Sequence, residues 1–259
     1  MQLDLTGKHA LVCGASQGIG RATAIELAGL GARVTALARS ADKLDELLAR
    51  LPGSGHDRLV TDMHDTAALG AAVTRLVATA PVHILINNTG GPPGGAAHTA
   101  APQAYMDALQ QHLIAGQTLL QAVLPGMRAA AWGRLVNVIS TSVREPIAGL
   151  GVSNATRAAV ASWAKTVSRE VAADGITVNN VLPGYTRTAR LDDLIAAKAK
   201  AGHTTEDAIA QAMLADVPTA RFGEADETAA VIAFLCTPAA AYVNGVSIAV
   251  DGGRTRALA

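Results

Sequence analysis

The sequence predicts an α/β fold built on a doubly wound, seven-stranded parallel sheet with helices on both faces. Three observations lead to it. Short apolar runs of strand length alternate with longer stretches of helical period, and parallel strands require this because each pair is joined by a crossover. Each apolar run is bounded by Gly, Asn, Pro or Asp, residues that let a buried strand open into a loop. The first run passes directly into a glycine-rich turn and then into a helical pattern.

In order along the chain, strands are expected at 9–13, 33–38, 57–61, 83–87, 134–140, 177–182 and 246–250. Helices are expected to begin near Gly18, Ala41, Thr66, Pro102, Ser153 and Asp226, the fourth and fifth running to about 129 and 173. Gly-Gly-Pro-Pro-Gly-Gly within 90–102 breaks both periods, so that segment is expected as a loop. A charged, alanine-rich helical pattern over 186–215 follows Pro183-Gly184. Its place after a strand's carboxyl end makes 185–215 the expected substrate lid. The 259 residues, half of them apolar, fit one domain over 1–259.

Composition narrows the partners. Lys plus Arg equals Asp plus Glu at 21 each, so no broad field favours nucleic acid or an anionic membrane surface, and a small molecule is expected instead. Residues 1–8 lack the pattern of a signal peptide, and no long uncharged apolar stretch follows, which predicts a cytoplasmic protein without a membrane span. Cys13 and Cys236 lie in separate apolar runs and are expected as buried thiols. The seven histidines show no ligand spacing, so no metal is expected.

The turn Gly14-Ala15-Ser16-Gln17-Gly18-Ile19-Gly20 joins the first strand to the first helix. Glycines there let the backbone approach a pyrophosphate, whose charge meets the helix N-terminus. The alternative is a tight turn that serves helix packing alone. A Rossmann fold binding a nicotinamide dinucleotide is the expectation. The second strand ends in Ala38-Arg39, where an NAD site commonly places an acid for the ribose hydroxyl. A cation suits a 2′-phosphate, so NADP(H) is expected, with NAD(H) the alternative. The plainer reading of Arg39 is a solvated residue at a strand end.

Asp62 follows the third strand, Asn87-Asn88-Thr89-Gly90 the fourth, and Pro183-Gly184 with Thr188 the sixth, while Tyr242-Val243-Asn244-Gly245 and Asp251-Gly252-Gly253 close the chain. With the Gly14–Gly20 turn, the whole length resembles the short-chain dehydrogenase/reductase family, in its β-ketoacyl-carrier-protein reductase-like branch. The resemblance implies that Asp62 contacts the adenine and that Asn88 and Gly90 line the cofactor's middle. It also implies that Pro183, Gly184 and Thr188 hold the nicotinamide carboxamide, and that helices 102–129 and 153–173 pair subunits into a homodimer or homotetramer. The substrate is then a small carbonyl or alcohol.

Catalysis in that family uses a serine, a Tyr-x-x-x-Lys pair and an asparagine on the preceding long helix. Ser140 matches the serine, but Ser153 stands at the tyrosine, Arg157 at the lysine and His112 at the asparagine. An aliphatic hydroxyl is a far weaker acid than a phenol, and a guanidinium is a poor proton relay. His112 carries an imidazole that can titrate near neutrality and serve as a relay, while the plainer expectation is a satisfied histidine on a packed helix. Tyr185, directly after Pro183-Gly184, is a second candidate donor or else a lid residue packed on the surface. Arg144 is expected to meet an anionic group, Glu145 or solvent. Two functions follow: an oxidoreductase with an altered tetrad, or a catalytically silent dinucleotide-binding sensor or partner subunit.

Overall fold

The computed structural model describes residues 1–258. The apolar runs form β1 (His9–Cys13), β2 (Arg33–Ala38), β3 (Asp57–Val60), β4 (Ile84–Asn87), β5 (Gly133–Val138), β6 (Ile176–Pro183) and β7 (Ser247–Val250). They pair in parallel as a seven-stranded sheet of order β3-β2-β1-β4-β5-β6-β7. Connections run outward in opposite directions from β1 and β4, and an open α/β sheet takes its ligand at the strand ends beside such a switch point.

Between the strands lie α1 (Gly18–Gly29), α2 (Ala41–Leu48), α3 (Thr66–Thr79), α4 (Pro102–Leu109), α5 (Ala115–Ala129) and α6 (Gly151–Glu170). Then follow α7 (Ala189–Ala201), α8 (Glu206–Ala215) and α9 (Ala225–Cys236). Successive strand residues face opposite sides of the sheet. On one side Val12, Val34, Ala36, Ile86 and Val138 pack with Leu27 of α1, Leu44 of α2 and Ile232 of α9. On the other, Leu11, Leu37, Leu85 and Val178 pack with Val73 of α3, Leu119 of α5 and Val167 of α6. Burying each such Leu, Ile or Val stabilises the fold by about 1.5–3 kcal/mol relative to exposure. Cys13 and Cys236 are buried as expected, and burial pushes both thiols up to about 12.

A polar line crosses this core. Asn87, Asn137, Asn180 and Ser247 are register partners on β4 to β7. Asn87 Nδ2 donates to Asn137 Oδ1 at 2.9 Å, Asn137 Nδ2 to Asn180 Oδ1 at 3.0 Å, and Asn180 Nδ2 to Ser247 Oγ at 3.1 Å. Side-chain amides in a dry core need such partners. Here β5, β6 and β7 each supply the acceptor for the strand before, and Asn87 Oδ1 at the end of the line has no partner among the described residues.

Three expectations need correction. Strand β5 ends at Val138, the last residue paired with β6. Ser140 lies beyond it because its Oγ accepts from the Ser142 N–H and turns the chain into a 3₁₀ turn at Thr141–Val143. The continuous helix expected from Pro102 is interrupted by a π turn at Gln110–Ile114, which carries His112. Helix α6 begins at Gly151, before the expected Ser153, where a Cβ would stand 2.5 Å from the Ala97 backbone. The 90–102 loop packs there, with a 3₁₀ turn at Ala97–Thr99 and a bridge from Gly95 to Leu150. The remaining strand boundaries lie within one residue of expectation. The 186–215 pattern resolves into α7 and α8, held together by Leu191, Ile195 and Met213.

Candidate active site

At the carboxyl ends of the strands a cleft of about 690 Å³ opens, walled by the β1–α1 turn, the ends of β2 to β6, and α6 and α7. Gly14 (φ +61°) and Gly18 (φ +54°) adopt the left-handed backbone that glycine favours. Gly14, Ser16, Gln17, Gly18 and Ile19 line the cleft. Gly20 does not. It lets α1 approach instead, since a Cβ there would stand 2.3 Å from the Gly14 carbonyl oxygen and 2.6 Å from Asn88 Nδ2. Gln17 caps α1 without a side-chain hydrogen bond, so the positive end of the helix keeps amide donors for an anion.

Arg39 and Asp62 face each other at the β2–β3 end of the cleft, Arg39 Nη1 lying 3.7 Å from Asp62 Oδ2. Arg39 is 79% exposed, so the pair is worth little and a phosphate can displace it. Lys43 adds a second cation to this rim and reaches Gln17 Oε1 at 3.4 Å. Asn88 and Gly90 line the middle of the cleft. The Asn88 amide also donates to the Cys13 and Gly14 carbonyls at 3.3 and 3.4 Å, tying the β4 loop to the glycine turn.

Ser140, Ser153, Arg157, Pro183, Gly184 and Thr188 come together at the other end. The β6–α7 loop lies close over the turn. A Cβ on Gly18 would be 3.1 Å from Thr188 Cγ2, and one on Gly184 would be 2.6 Å from Asp251 Cβ. Ser153 and Arg157 stand one turn apart on α6, each 8% exposed. Arg157 Nη1 donates to the Val138 carbonyl at 2.8 Å, and its Nε has no partner. Burial, then repulsion from Arg190, lowers this guanidinium to about 10, which still leaves it charged at neutral pH.

His112 fits the plainer of its two expectations, a satisfied histidine on a packed helix. It is buried beside the cleft instead of lining it, and it touches the lining through a hydrogen bond between Nδ1 and Thr89 Oγ1. Burial, then the Arg157 charge, holds its pKa down to about 3, so the imidazole is neutral at physiological pH and does not titrate there. Tyr185 lines the cleft, its ring edge-on to Phe222 at 6.2 Å with the Arg254 guanidinium 4.6 Å from its centre. Arg144 is partly exposed, as expected for a side chain that meets solvent, and also donates to the Ser247 carbonyl at 2.5 Å. Glu145 instead accepts from the backbone of Arg256 and Ala257.

Lys43, Thr89, Arg190 and Arg254 are among the lining residues to which the reading of the sequence assigned no role, although Thr89 lies within the motif after the fourth strand. Arg190 sits two positions after Thr188 and Arg254 directly after Gly253, so proximity to recognised motifs was the available signal. The fit to a dinucleotide rests on the glycine cradle, the uncapped helix end and the cationic rim at Arg39 and Lys43.

Residues 8–199 match the family model for short chain dehydrogenases. A 3-oxoacyl-acyl-carrier-protein reductase of Pseudomonas aeruginosa is 33% identical over 254 residues, 97% of this chain and 98% of the relative. One from Vibrio cholerae is 35% identical over 253 residues, again 97% and 98% of the two chains. Among solved structures, L-sorbose reductase from Gluconobacter frateurii, complexed with NADPH and L-sorbose, superposes with a TM-score of 0.93 at 29% identity, covering 100% of both chains.

Proposed function

Because the chain belongs to the short-chain dehydrogenase/reductase family, we propose that it is an NADP(H)-dependent oxidoreductase of the 3-oxoacyl-carrier-protein reductase type, interconverting a carbonyl and an alcohol. One observation carries this reading: a glycine cradle and a cationic rim at one end of a cleft share it with Ser140, Ser153 and Arg157 at the other. NADPH-bound relatives of the same fold support the cofactor, with NAD(H) the alternative.

In this reading Gly14, Ser16, Gln17, Gly18 and Ile19 cradle the pyrophosphate, with Gly20 admitting the helix. Arg39, helped by Lys43, leaves Asp62 for the 2′-phosphate, and Asp62 holds the adenine. Asn88 and Gly90 border the middle, while Pro183, Gly184 and Thr188 bind the carboxamide. The nicotinamide, when bound, supplies or accepts the hydride. Ser140 donates its hydroxyl proton to the substrate oxygen in a hydrogen bond; its Oγ already accepts from the Ser142 N–H, which leaves that proton free. Ser153 is too weak an acid to act as the proton donor. Arg157 places positive charge where oxygen gains negative charge, as an oxyanion site does. The proton that completes the alcohol comes from water, and neutral His112 relays it by taking up a proton at one ring nitrogen as it gives one up from the other to the Thr89 hydroxyl at the cleft wall.

The residues 1–259 form one dinucleotide-binding domain with 185–215 as its substrate lid, in a cytoplasmic homodimer or homotetramer. No helix among the described residues is long and apolar enough to cross a membrane. The test is NADPH and NADH binding by fluorescence, followed by NADPH consumption across a carbonyl panel. Binding with turnover is the expected result, and failure to bind either nucleotide overturns the proposal. Ser153, with no phenol beside Arg157, favours a second reading as a silent sensor or partner subunit. That reading predicts binding without turnover, and a large gain of reductase activity in Ser153→Tyr/Arg157→Lys.

A further inference from the structure

The substrate end of the cleft is lined by three arginines, Arg157, Arg190 and Arg254. The one carboxylate lining the cleft among the described residues, Asp62, is at the opposite end and paired with Arg39. Arg254 has partial compensation, since its charge acts on Asp251. Arg157 and Arg190 have none: neither forms an ion pair among the described residues.

The two guanidiniums converge at Gly91. A Cβ there would be 3.3 Å from Arg190 Nη2 and 3.6 Å from Arg157 Nη2, so no side chain intervenes. Each is pinned by a carbonyl, Arg157 Nη1 on Val138 at 2.8 Å and Arg190 Nη2 on Pro92 at 2.6 Å. Arg190 is exposed while Arg157 is buried, and a second cation held against a buried one is unfavourable until an anion joins them. Arg157 is 8% exposed with an unpartnered Nε, and burying a cation this deeply without a counter-ion is expensive unless a ligand provides one. Ser153, where the family carries a tyrosine, lines the same cleft with no phenol beside Arg157.

We propose that Arg157 and Arg190 form an anion subsite that binds a carboxylate on the substrate, so that this chain acts on oxo acids or hydroxy acids in preference to uncharged carbonyl compounds. Planar guanidinium forks suit a carboxylate, and fixed donors lose little entropy on binding it. The inference rests on the oxidoreductase reading for its reacting group, but its binding is measurable without turnover.

The test titrates the protein mixed with NADP+, which cannot reduce an oxo acid, calorimetrically with pyruvate, acetoacetate and levulinate and, in parallel, with their methyl esters, and NADPH oxidation by each compound is followed separately. At least one acid is expected to bind roughly ten- to a hundredfold tighter than its ester, the loss typical of a charged hydrogen-bonded contact. Arg190→Gln, which keeps a donor for the Pro92 carbonyl, is expected to shrink that ratio toward one, with NADPH affinity unchanged within about threefold and Arg190→Lys intermediate. Esters binding as well as acids, no binding by any acid, or an acid preference that survives Arg190→Gln would each overturn the subsite. Acid-selective binding without NADPH oxidation would uphold the subsite and count against the reductase reading. Turnover of acids and esters alike would do the reverse.

Discussion

Arg157 Nη1 is hydrogen-bonded to the Val138 carbonyl at 2.8 Å, so the cation at the family's lysine position is fixed to β5 and to no carboxylate. On the proposed reading its charge is held for a ligand and not for the fold. Arg157→Met keeps the length of the stem and removes a buried charge whose desolvation opposes folding. Loss of the donor to Val138 costs about 1 kcal/mol. The urea-unfolding free energy of the variant is expected within about 1 kcal/mol of the parent or above it, while binding of acetoacetate weakens. A loss beyond about 3 kcal/mol would mean that the guanidinium stabilises the apo fold.

Gly20→Ala and Gly29→Ala make a matched pair on α1. At Gly20 the new methyl meets the Gly14 carbonyl at 2.3 Å, whereas at Gly29 it meets nothing within 4 Å. The first variant is expected to lose NADPH affinity at least about tenfold and roughly 2–4 kcal/mol of stability, the cost of an overpacked rigid site. The second is expected to be neutral or to gain up to about 1 kcal/mol. Thermal melts and fluorescence titration of both variants decide it.

The asparagine line makes a prediction about the core. Asn137→Leu leaves Asn87 Nδ2 and Asn180 Oδ1 without their partner, and each orphaned buried group costs about 1–3 kcal/mol. Chemical denaturation should show a loss of roughly 2–5 kcal/mol. A variant as stable as the parent would show that water or a shifted side chain replaces Asn137.

Stability should fall in acid through the buried histidines. His112 is held down to about 3 and His9 to about 4, in both cases chiefly by burial, against an unfolded value near 6.5. Above about pH 6.5 both are neutral in either state and stability is fully present. As the pH drops toward 4 and then 3, the unfolded chain takes up the protons first and stability is lost. His112→Asn, which keeps a hydrogen-bonding group beside Thr89, is expected to flatten this acid limb. Melting curves between pH 8 and about pH 4.5 test the change in slope.

Arg39→Asp probes nucleotide choice. Replacing a cation that lies 3.7 Å from Asp62 by a second carboxylate repels a 2′-phosphate and offers acceptors to a 2′-hydroxyl. NADPH affinity is expected to fall at least about tenfold relative to NADH. An unchanged preference in paired titrations would assign the discrimination elsewhere, with Lys43 the next cation on the rim.

The sequence by itself determined the sheet, the order of its elements and the place of the glycine turn. These depend on hydrophobic period and turn chemistry, properties of neighbouring residues, and Gly14 and Gly18 have the positive φ that such a turn demands. It also identified Ser140, Ser153 and Arg157, whose spacing the resemblance interprets. Only the tertiary structure decided the surroundings of these groups. The π turn at Gln110–Ile114 put His112 into a dry site beside Arg157, and that environment removed the near-neutral titration an isolated imidazole would have. Arg190 read as one charge in a helical pattern until α7 folded over the 90–102 loop and brought it to Arg157 across Gly91. Burial and the meeting of like charges depend on which distant segments share a space, and no local pattern encodes that distance.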